Sequence, residues 1–294
     1  VIATGTTPVV PPIPGLEGTP FWTNREAMEA ATLPGSLLVL GGGAIGSEVG
    51  QAFARFGVRV TIVDAAERPI AREEPEAGDI VAGALAADGI TLCLGRRAVG
   101  VAHDADGFRV ELDDGRTVGA EKLLVATGRR PDVDAATWAR LGLSGTPGAL
   151  PVDDRLRVTD GVWAVGDVTG HGAFTHIATY QADIVVRDIL GTPGPAADYR
   201  ALPRVTFTDP EVGAVGLTER QAREQGHRVA TGSTAVPSTA RGWIHKAGSA
   251  GIIKLVVDAD TDLLLGATSA GPAGGEVLGA LTVALHARVP VSVL

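Results

Sequence analysis

The fold of this chain can be predicted from one segment, Ser36-Leu37-Leu38-Val39-Leu40-Gly41-Gly42-Gly43-Ala44-Ile45-Gly46. Its first residues form a short apolar run, which is typical of a strand buried on both faces of a sheet, and a glycine-rich turn follows directly. A helical pattern begins after the turn and ends at Gly57, and residues 58–63 form a second apolar strand that ends at Asp64. The order strand, turn, helix and strand predicts a complete βαβ unit and an α/β fold.

The helix of this unit has an amphipathic pattern. Its polar positions Glu48, Gln51 and Arg55 share one face. The opposite face is apolar, and we expect it to pack on the sheet. It consists of Ile45, Val49, Ala52, Phe53 and Phe56.

The glycines have the spacing Gly41-x-Gly43-x-x-Gly46, which is typical of a dinucleotide-binding loop between a strand and a helix. The first glycine permits the tight turn, the second lets the backbone approach a pyrophosphate, and the third allows close packing of helix on strand. The helix then offers free N–H groups and the positive end of its dipole to the phosphates. A structural glycine loop is the alternative. The predicted dinucleotide site comprises Gly41, Gly42, Gly43, Ile45, Gly46 and Asp64.

Asp64 also bears on the choice of nicotinamide nucleotide. A carboxylate at the end of the second strand can accept hydrogen bonds from both ribose hydroxyls and repels a 2′-phosphate, which favours NAD over NADP. Arg68 points the other way, because an arginine can pair with such a phosphate, although it can also pair with Glu67. We therefore expect NAD, with NADP as the less favoured alternative.

Composition limits the class of protein. The 294 residues carry a net charge of −9, which disfavours nucleic-acid binding, and 45% are apolar, which excludes intrinsic disorder. Cys93 is the single cysteine, so we expect a buried core thiol and no disulfide framework. The histidines lack the spacing of a metal site, and no apolar run reaches the length of a membrane span. From these features we expect a cytoplasmic protein. Both ends of the chain lie inside apolar patterns, so we also expect it to be part of a longer polypeptide.

The rest of the chain alternates predicted helices and strands. After residue 200 the pattern indicates an antiparallel sheet, with an Asp/Thr-rich turn between its last two strands. Asp114-Gly115 has the chemistry of a hairpin turn. The predicted helices cover residues 75–88, 176–190, 218–225 and 276–286. The predicted strands cover residues 90–94, 108–112, 122–126, 204–208, 252–258 and 263–269, with further short strands within 154–166.

Two further patterns point to a second nucleotide. Ala3–Pro8 and Ala126–Pro131 repeat the motif Ala-Thr-Gly-x-x-Pro, the second copy containing Gly128, and two nucleotide-binding domains with crossing connections would explain the repeat. Residues 162–167 form an apolar strand that delivers Gly166-Asp167 at a turn. This carboxylate could accept hydrogen bonds from a polyol such as the ribityl chain of a flavin, and the helix opening near Thr175 and His176 could direct its positive end at the flavin ring. Coincidence of two strand ends and a capping aspartate are the alternatives.

Together these pieces resemble the pyridine nucleotide–disulfide oxidoreductases, the flavoprotein family that contains dihydrolipoamide dehydrogenase, glutathione reductase and mercuric reductase. The string Thr208–Gly216 is similar to the start of that family's C-terminal dimerisation domain. The resemblance implies FAD as well as NAD, and FAD/NAD(P)-binding Rossmann-like domains followed by an α+β dimerisation domain. It also implies that Glu48 lies beside the nicotinamide. The implied domains are the end of the first FAD-binding part (1–32), the NAD(P)-binding domain (33–128), the return to the FAD-binding domain (129–199) and a truncated dimerisation domain (200–294).

The family also uses an FAD fingerprint, a pair of redox cysteines and a His/Glu acid–base pair, and these are not found in residues 1–294. The resemblance implies a homodimer that passes hydride between nicotinamide and flavin and then to a disulfide-type acceptor, as in dihydrolipoamide dehydrogenase. Hg(II), as in mercuric reductase, is the alternative acceptor. A flavin-free Rossmann dehydrogenase and a non-catalytic nucleotide-binding dimerisation module are the competing classes.

Overall fold

A computed structural model describes residues 1–294, apart from the side chain of Arg241. The chain forms two compact units, and each unit is made of two segments. The smaller contains Val1–Val9 and Gly128–Tyr199, and the larger contains Val10–Thr127 and Arg200–Leu294. Residues 10–32, which the sequence prediction gives to the flavin-binding part, therefore pack within the larger unit.

The elements are numbered along the chain. The strands are β1 (Thr6–Pro8), β2 (Ser36–Leu40), β3 (Arg59–Asp64), β4 (Thr91–Leu94), β5 (Ala98–Asp104), β6 (Gly107–Leu112), β7 (Thr117–Ala120), β8 (Lys122–Val125), β9 (Arg129–Pro131), β10 (Arg157–Thr159), β11 (Val162–Trp163), β12 (Pro203–Thr206), β13 (Glu211–Gly216), β14 (Val229–Ala235), β15 (Ile252–Asp258) and β16 (Leu263–Gly271). The α-helices are α1 (Asn24–Met28), α2 (Ala44–Arg55), α3 (Pro75–Ala87), α4 (Ala135–Arg140), α5 (Thr175–Ile189), α6 (Glu219–Glu224), α7 (Ala240–His245) and α8 (Gly274–His286).

The larger unit contains a parallel sheet with the strand order β4-β3-β2-β8. Strand β2 lies between β3 and β8, and its residues from Leu37 onward are all buried, as its continuous apolar run predicts. Helix α2 connects β2 to β3 and packs on both strands, so the predicted βαβ unit is confirmed. This sheet presents the carboxyl ends of β2 and β3, where Gly41 and Asp64 lie, at one edge.

A three-stranded antiparallel sheet, β5-β6-β7, is inserted before β8. The predicted turn at Asp114-Gly115 joins β6 to β7, and Gly115 has a φ of +82°, a conformation that favours glycine. The sequence predicted only the central strand β6, because its alternating burial shows in the residue pattern. Strands β5 and β7 consist largely of small or exposed residues and give a weaker signal.

The C-terminal segment forms a five-stranded antiparallel sheet with the order β12-β13-β16-β15-β14. The predicted antiparallel pairing of β15 and β16 is confirmed. Helix α8 packs on β13 and β16, and the approach is close because a Cβ on Gly213 would lie 2.8 Å from the carbonyl oxygen of Gly274. The sequence pattern does not predict strand β14, because six of its seven residues are exposed and most are small or polar.

The smaller unit pairs the two copies of the repeated motif with each other. Strands β1 and β9 run antiparallel, with Thr6 opposite Pro131 and Pro8 opposite Arg129. The glycine that precedes each strand has a positive φ, +70° at Gly5 and +124° at Gly128. The two copies of the repeat are therefore paired within one unit. The same unit contains α5 and a 3-10 helix at Gly166–Thr169, which includes the Gly166-Asp167 turn.

One expectation for α2 is wrong. The predicted polar face includes Gln51, yet this side chain is 4% exposed, whereas Phe56 of the predicted apolar face is 69% exposed. The reason is that the Gln51 side chain contacts the segment after β12, which covers a face that would otherwise meet solvent. Sequence periodicity detects the sheet-facing side of a helix but does not show a distant segment that covers its other side.

Trp243 and His245 belong to the short helix α7, in a segment for which the sequence predicts neither a helix nor a strand. Cys93 is a buried residue of the core, as predicted. Within the described part of the chain, no helix has the length and apolar character that a membrane crossing requires.

Candidate functional site

The glycine loop after β2 is shaped by two close backbone contacts. Gly41 has a φ of +104°, and a Cβ there would overlap the carbonyl group of Ala126. A Cβ on Gly46 would overlap the carbonyl oxygen of Gly41 and lie 3.1 Å from Val39. Both positions therefore require glycine, the first for the turn and the second for the approach of α2 to β2, as the sequence spacing predicts.

Gly43 differs from these two glycines because it faces open space. A Cβ built on it meets no atom within 4 Å, and the residue is exposed. Gly43 is the N-cap of α2 and contributes no side-chain capping bond. The first turn of α2, which contains Ile45, begins beside this open space, and its N–H groups are the kind of donor that binds a pyrophosphate in a dinucleotide-binding loop. The loop is tied from within by the Ser47 hydroxyl, which donates to the carbonyl of Gly42 at 3.0 Å.

Asp64 is joined directly to this loop. Its Oδ2 accepts a hydrogen bond from the N–H of Gly42 at 2.5 Å, and its Oδ1 accepts one from the N–H of Ala66 at 2.7 Å. A carboxylate has about four acceptor positions, so each oxygen retains capacity for a further donor. The carboxylate is held in a fixed orientation at the end of β3, where two ribose hydroxyls could donate to it.

Arg68 is engaged with a residue that the sequence analysis did not name. Its Nε lies 2.6 Å from Oδ1 of Asp79 on α3, so the partner is Asp79 and not Glu67. The expectation of a Glu67 pair is wrong because α3 brings a carboxylate from the next element alongside the loop. A local sequence window around Arg68 gives no signal for this contact.

Glu48 lies one and a half turns into α2, beyond the glycine loop. Its Oε1 accepts a hydrogen bond from the N–H of Phe207 at 2.7 Å. Burial raises the pKa of the Glu48 carboxyl, and the hydrogen bond from Phe207 acts in the opposite direction to a smaller extent. The Phe207 side chain is 71% exposed beside this bond. Sequence reasoning identified Glu48 through the family resemblance but missed Phe207.

The same side of α2 holds the segment after β12 at two further points. Gln51 pairs with the backbone of Asp209, donating to its carbonyl and accepting from its N–H, both at 2.8 Å. Arg55 forms ion pairs with Asp209 at 2.8 Å and with Asp88 at 3.1 Å. We call Glu48, Gln51 and Arg55 the α2 polar stripe. This stripe fixes residues 207–209 to the helix that carries the candidate phosphate site.

The predicted flavin-side residues lie in the smaller unit. Gly166 has a φ of +80° and donates its N–H to Oε1 of Gln181 at 2.6 Å. Asp167 accepts a hydrogen bond from the Thr6 hydroxyl at 3.0 Å, which joins the turn to β1. Thr175 and His176 are exposed in the first turn of α5, and the His176 ring stacks on Phe174 with centroids 5.4 Å apart.

The contacts thus bring the predicted residues together in two groups. Gly41, Gly42, Gly43, Gly46 and Asp64 form one continuous loop-and-carboxylate arrangement in the larger unit. Gly166 and Asp167 form a turn in the smaller unit, and the carbonyl oxygen of Gly128 accepts a hydrogen bond from Val9 at 2.9 Å beside β1 and β9. Sequence reasoning missed Gln181, which is fully buried and whose three partners depend on tertiary packing.

These features define a dinucleotide-binding α/β protein with an antiparallel α+β segment at its C-terminal end. Residues 1–182 match the model of the pyridine nucleotide-disulphide oxidoreductase family, and residues 202–294 match the dimerisation domain of the same family. The chain belongs to the pyridine nucleotide-disulphide oxidoreductase family, which confirms the resemblance drawn from the sequence.

Proteins similar to this chain include two mercuric reductases and a flavoprotein disulfide reductase. A mercuric reductase from Streptomyces lividans is 36% identical over 100% of this chain and 63% of its own length. A mercuric reductase from Bacillus cereus is 34% identical over 97% of this chain and 46% of its own length. The solved structure of the HOCl-induced flavoprotein disulfide reductase RclA from Escherichia coli has a TM-score of 0.86 and 32% identity, covering 99% of this chain and 67% of that chain. The chain therefore spans about half to two thirds of the length of these relatives.

Proposed function

We propose that this chain is the nicotinamide-binding and dimerisation portion of an FAD-dependent NAD(P)H oxidoreductase that passes hydride between nicotinamide and flavin and on to a disulfide-type acceptor. The observation that carries the proposal is the glycine loop with Asp64 bonded to Gly42, since this arrangement offers a phosphate site and a ribose acceptor in one place. Family membership and the flavoprotein relatives support the flavin part.

The dinucleotide fits the residues present. The open face of Gly43 and the first turn of α2 would bind the pyrophosphate, and the Asp64 carboxylate would accept the ribose hydroxyls. We propose NAD as the preferred nucleotide, because the fixed Asp64 carboxylate disfavours a 2′-phosphate and Arg68 is engaged by Asp79. NADP is the less favoured alternative.

Glu48 would lie at the nicotinamide end of this site. Its raised pKa means that the carboxyl retains a proton at higher pH than an exposed glutamate does. Its hydrogen bond to Phe207 fixes the Oε1 atom and leaves Oε2 to face a bound ring or a second protein group. We propose that it orients the nicotinamide and does not itself exchange hydride.

For FAD, we propose Gly128, Gly166, Asp167, Thr175 and His176 as the residues in this chain that contact it. Flavin supplies the two-electron chemistry between nicotinamide and acceptor when it is bound. Asp167 has a free acceptor capacity beside its bond to Thr6 and is suited to a polyol hydroxyl. The exposed first turn of α5 would direct N–H groups toward an electron-rich ring edge.

Two electron acceptors are considered. A dihydrolipoamide dehydrogenase-like activity would use a disulfide-type compound, and a mercuric reductase-like activity would use Hg(II). The named relatives favour Hg(II) more than the sequence motifs alone do, because two of them are called mercuric reductases. A flavin-free dehydrogenase would leave the paired Ala-Thr-Gly motifs and the Gly166-Asp167 turn without a ligand. A non-catalytic nucleotide-binding module would bind NADH without supporting its oxidation in the complete polypeptide.

The match of residues 202–294 to a dimerisation domain supports a homodimer as the assembled form. We propose that the C-terminal sheet and α8 form the two-fold interface, because they lie within the residues that match this domain. Light scattering of the 294-residue chain at micromolar concentration should give twice the monomer mass. A monomeric mass would contradict this part of the proposal.

The nucleotide site is tested by a calorimetric titration of residues 1–294 with NADH, comparing wild type with Gly43→Val. Because a Cβ at Gly43 meets no protein atom, the variant should keep its melting temperature while obstructing the pyrophosphate. We expect NADH affinity to fall by about tenfold or more, since a single misplaced contact in a phosphate site costs on the order of 1.4 kcal/mol. Gly83→Ala on α3, also open, is the matched control. Equal affinity in wild type and Gly43→Val would overturn the proposal.

A further inference from the structure

The loop that carries Arg68 is closed on the glycine loop at both ends. At one end the Asp64 carboxylate accepts from the N–H of Gly42 at 2.5 Å, and at the other the N–H of Ile70 donates to the carbonyl of Gly42 at 2.8 Å. Arg68 is therefore attached to a short rim around Gly42, next to the carboxylate expected to bind the ribose. A guanidinium on this rim is placed to meet a 2′-phosphate unless something else binds it.

The side chain of Arg68 instead runs along α3. Its Nε lies 2.6 Å from Oδ1 of Asp79. Its stem lies over Gly78, because a Cβ built there would lie 3.2 Å from Arg68 Cβ and 3.4 Å from Cδ, and 3.0 Å from the carbonyl oxygen of Pro69. Gly78 thus leaves the space in which the stem lies, and Asp79 supplies the charge that holds its end.

We propose that Asp79, acting with Gly78, is a specificity-determining residue that favours NAD by holding Arg68 on α3. Asp79 acts through Arg68 and does not contact the nucleotide. With its guanidinium neutralised there, Arg68 does not offer a free cation to a 2′-phosphate beside the Asp64 carboxylate. This inference rests on the proposed binding of a nicotinamide dinucleotide at Gly41–Gly46.

Most of the carboxylates around Arg68 are already paired with other cations. Arg68 shares a cavity lining with Glu67, Glu73 and Glu74. Glu73 pairs with Arg204, and Glu74 pairs with Lys254. Glu67 is the competitor that a released Arg68 would meet. The Arg68 and Asp79 side chains are 42% and 61% exposed, so the Arg68 guanidinium is accessible. Once the Asp79 carboxylate is removed, a doubly charged phosphate can bind this guanidinium.

The test measures binding of two small probes to residues 1–294: 5′-AMP, which has a free 2′-hydroxyl, and adenosine 2′,5′-bisphosphate. Asp79→Asn should tighten the bisphosphate by about two- to fivefold, the range expected of an exposed ion pair, and leave 5′-AMP unchanged. Asp79→Asn/Arg68→Ala should lose the whole gain.

Asp104→Asn is the matched control, because Asp104 pairs with Arg109 at the same 2.6 Å, with similar exposure, in the β5-β6-β7 sheet away from α3. It alters net charge equally and should move neither affinity. If Asp79→Asn leaves the ratio of the two affinities unchanged, or if the double variant keeps the gain, Arg68 pairs with Glu67 or is irrelevant and the inference is wrong. If wild type binds 5′-AMP in these titrations, such a failure concerns Asp79 alone. If it binds neither probe, the proposed nucleotide site fails together with the inference.

Discussion

Glu48 and Phe207, which lie 159 positions apart in the chain, are joined by a 2.7 Å hydrogen bond from a backbone N–H to a carboxylate. The bond attaches the helix that begins at the glycine loop to the first residue after β12. Gln51 and Arg55 of the α2 polar stripe hold Asp209 on the same helix, so three side chains connect α2 to the segment after β12. A substitution at Glu48 therefore affects this connection as well as the proposed nicotinamide end of the site.

Glu48→Gln should make the chain more stable at neutral pH. Burial raises the pKa of Glu48, and a carboxyl with a raised pKa stabilises the fold below its unfolded-state pKa and loses that contribution as the pH rises through the folded value. Glutamine has nearly the same shape, accepts the Phe207 N–H, and carries no charge. The stability difference, measured by urea unfolding, should be largest at pH 7 and vanish at about pH 4.

The control for this measurement is Glu17→Gln, at an exposed position, which should change stability little at either pH. A Glu48→Gln variant that is less stable than wild type at pH 7 would show that the charged form is the one the fold favours.

The predictable and unpredictable parts of this site differ in the range of their contacts. The glycine spacing and the strand that ends at Asp64 are local, so the sequence predicted both the βαβ unit and the bond-forming loop. The partners of Gln51 and Arg68 lie in other elements. Asp209 is 158 positions from Gln51, and Asp79, the partner of Arg68, belongs to helix α3. A residue pattern identifies a polar side chain but carries no information on which distant segment will cover it.

Lys254 is the next test, because it is a buried ammonium between three carboxylates. Its Nζ lies 2.9 Å from Glu74, 2.8 Å from Glu76 and 3.0 Å from Glu219, and its side chain is 7% exposed. The contacts tie α3 and α6 to β15. Lys254→Met should cost about 3–5 kcal/mol of unfolding free energy, because the Glu74 carboxylate, 3% exposed, then has no cation beside it.

Urea unfolding measures this loss, and Lys254→Met/Glu74→Gln should recover part of it by removing the uncompensated charge. Arg228→Ala, which breaks the exposed pair with Asp260 outside this cluster, provides a surface control expected to cost less than about 1 kcal/mol. A loss in Lys254→Met no greater than in the control would mean that the carboxylates find other partners.

Gln181 connects the Gly166-Asp167 turn to α5. It is fully buried, accepts from the Gly166 N–H at 2.6 Å, and donates to the hydroxyls of Thr169 at 3.0 Å and Tyr199 at 2.9 Å. Gln181→Leu keeps the volume but leaves the buried Gly166 N–H without an acceptor, at a cost of about 1–3 kcal/mol. Amide hydrogen exchange should show faster exchange at residues 160–185 of the smaller unit.

Gln225→Leu, at the exposed end of α6, is the matched control and should leave that exchange unchanged. Unaltered protection in Gln181→Leu would mean that the turn is held by its other contacts, such as the Thr6–Asp167 bond. In this unit the sequence predicted the turn and the helix, whereas the β1–β9 pairing required a partner 123 residues away and was visible only as a repeated motif.

The last prediction concerns what residues 1–294 do without any further segment. The glycine loop, the α2 N-terminus and Asp64 are all present and mutually bonded, so the chain should bind NADH. Transfer of electrons to a disulfide through a dithiol requires two thiols, and the chain has one cysteine, Cys93, which is buried. The purified chain should therefore be colourless and should not oxidise NADH when FAD and either lipoamide or Hg(II) are added, as followed by NADH absorbance. Stoichiometric bound flavin together with acceptor-dependent NADH oxidation would place the active site within these residues and contradict the prediction.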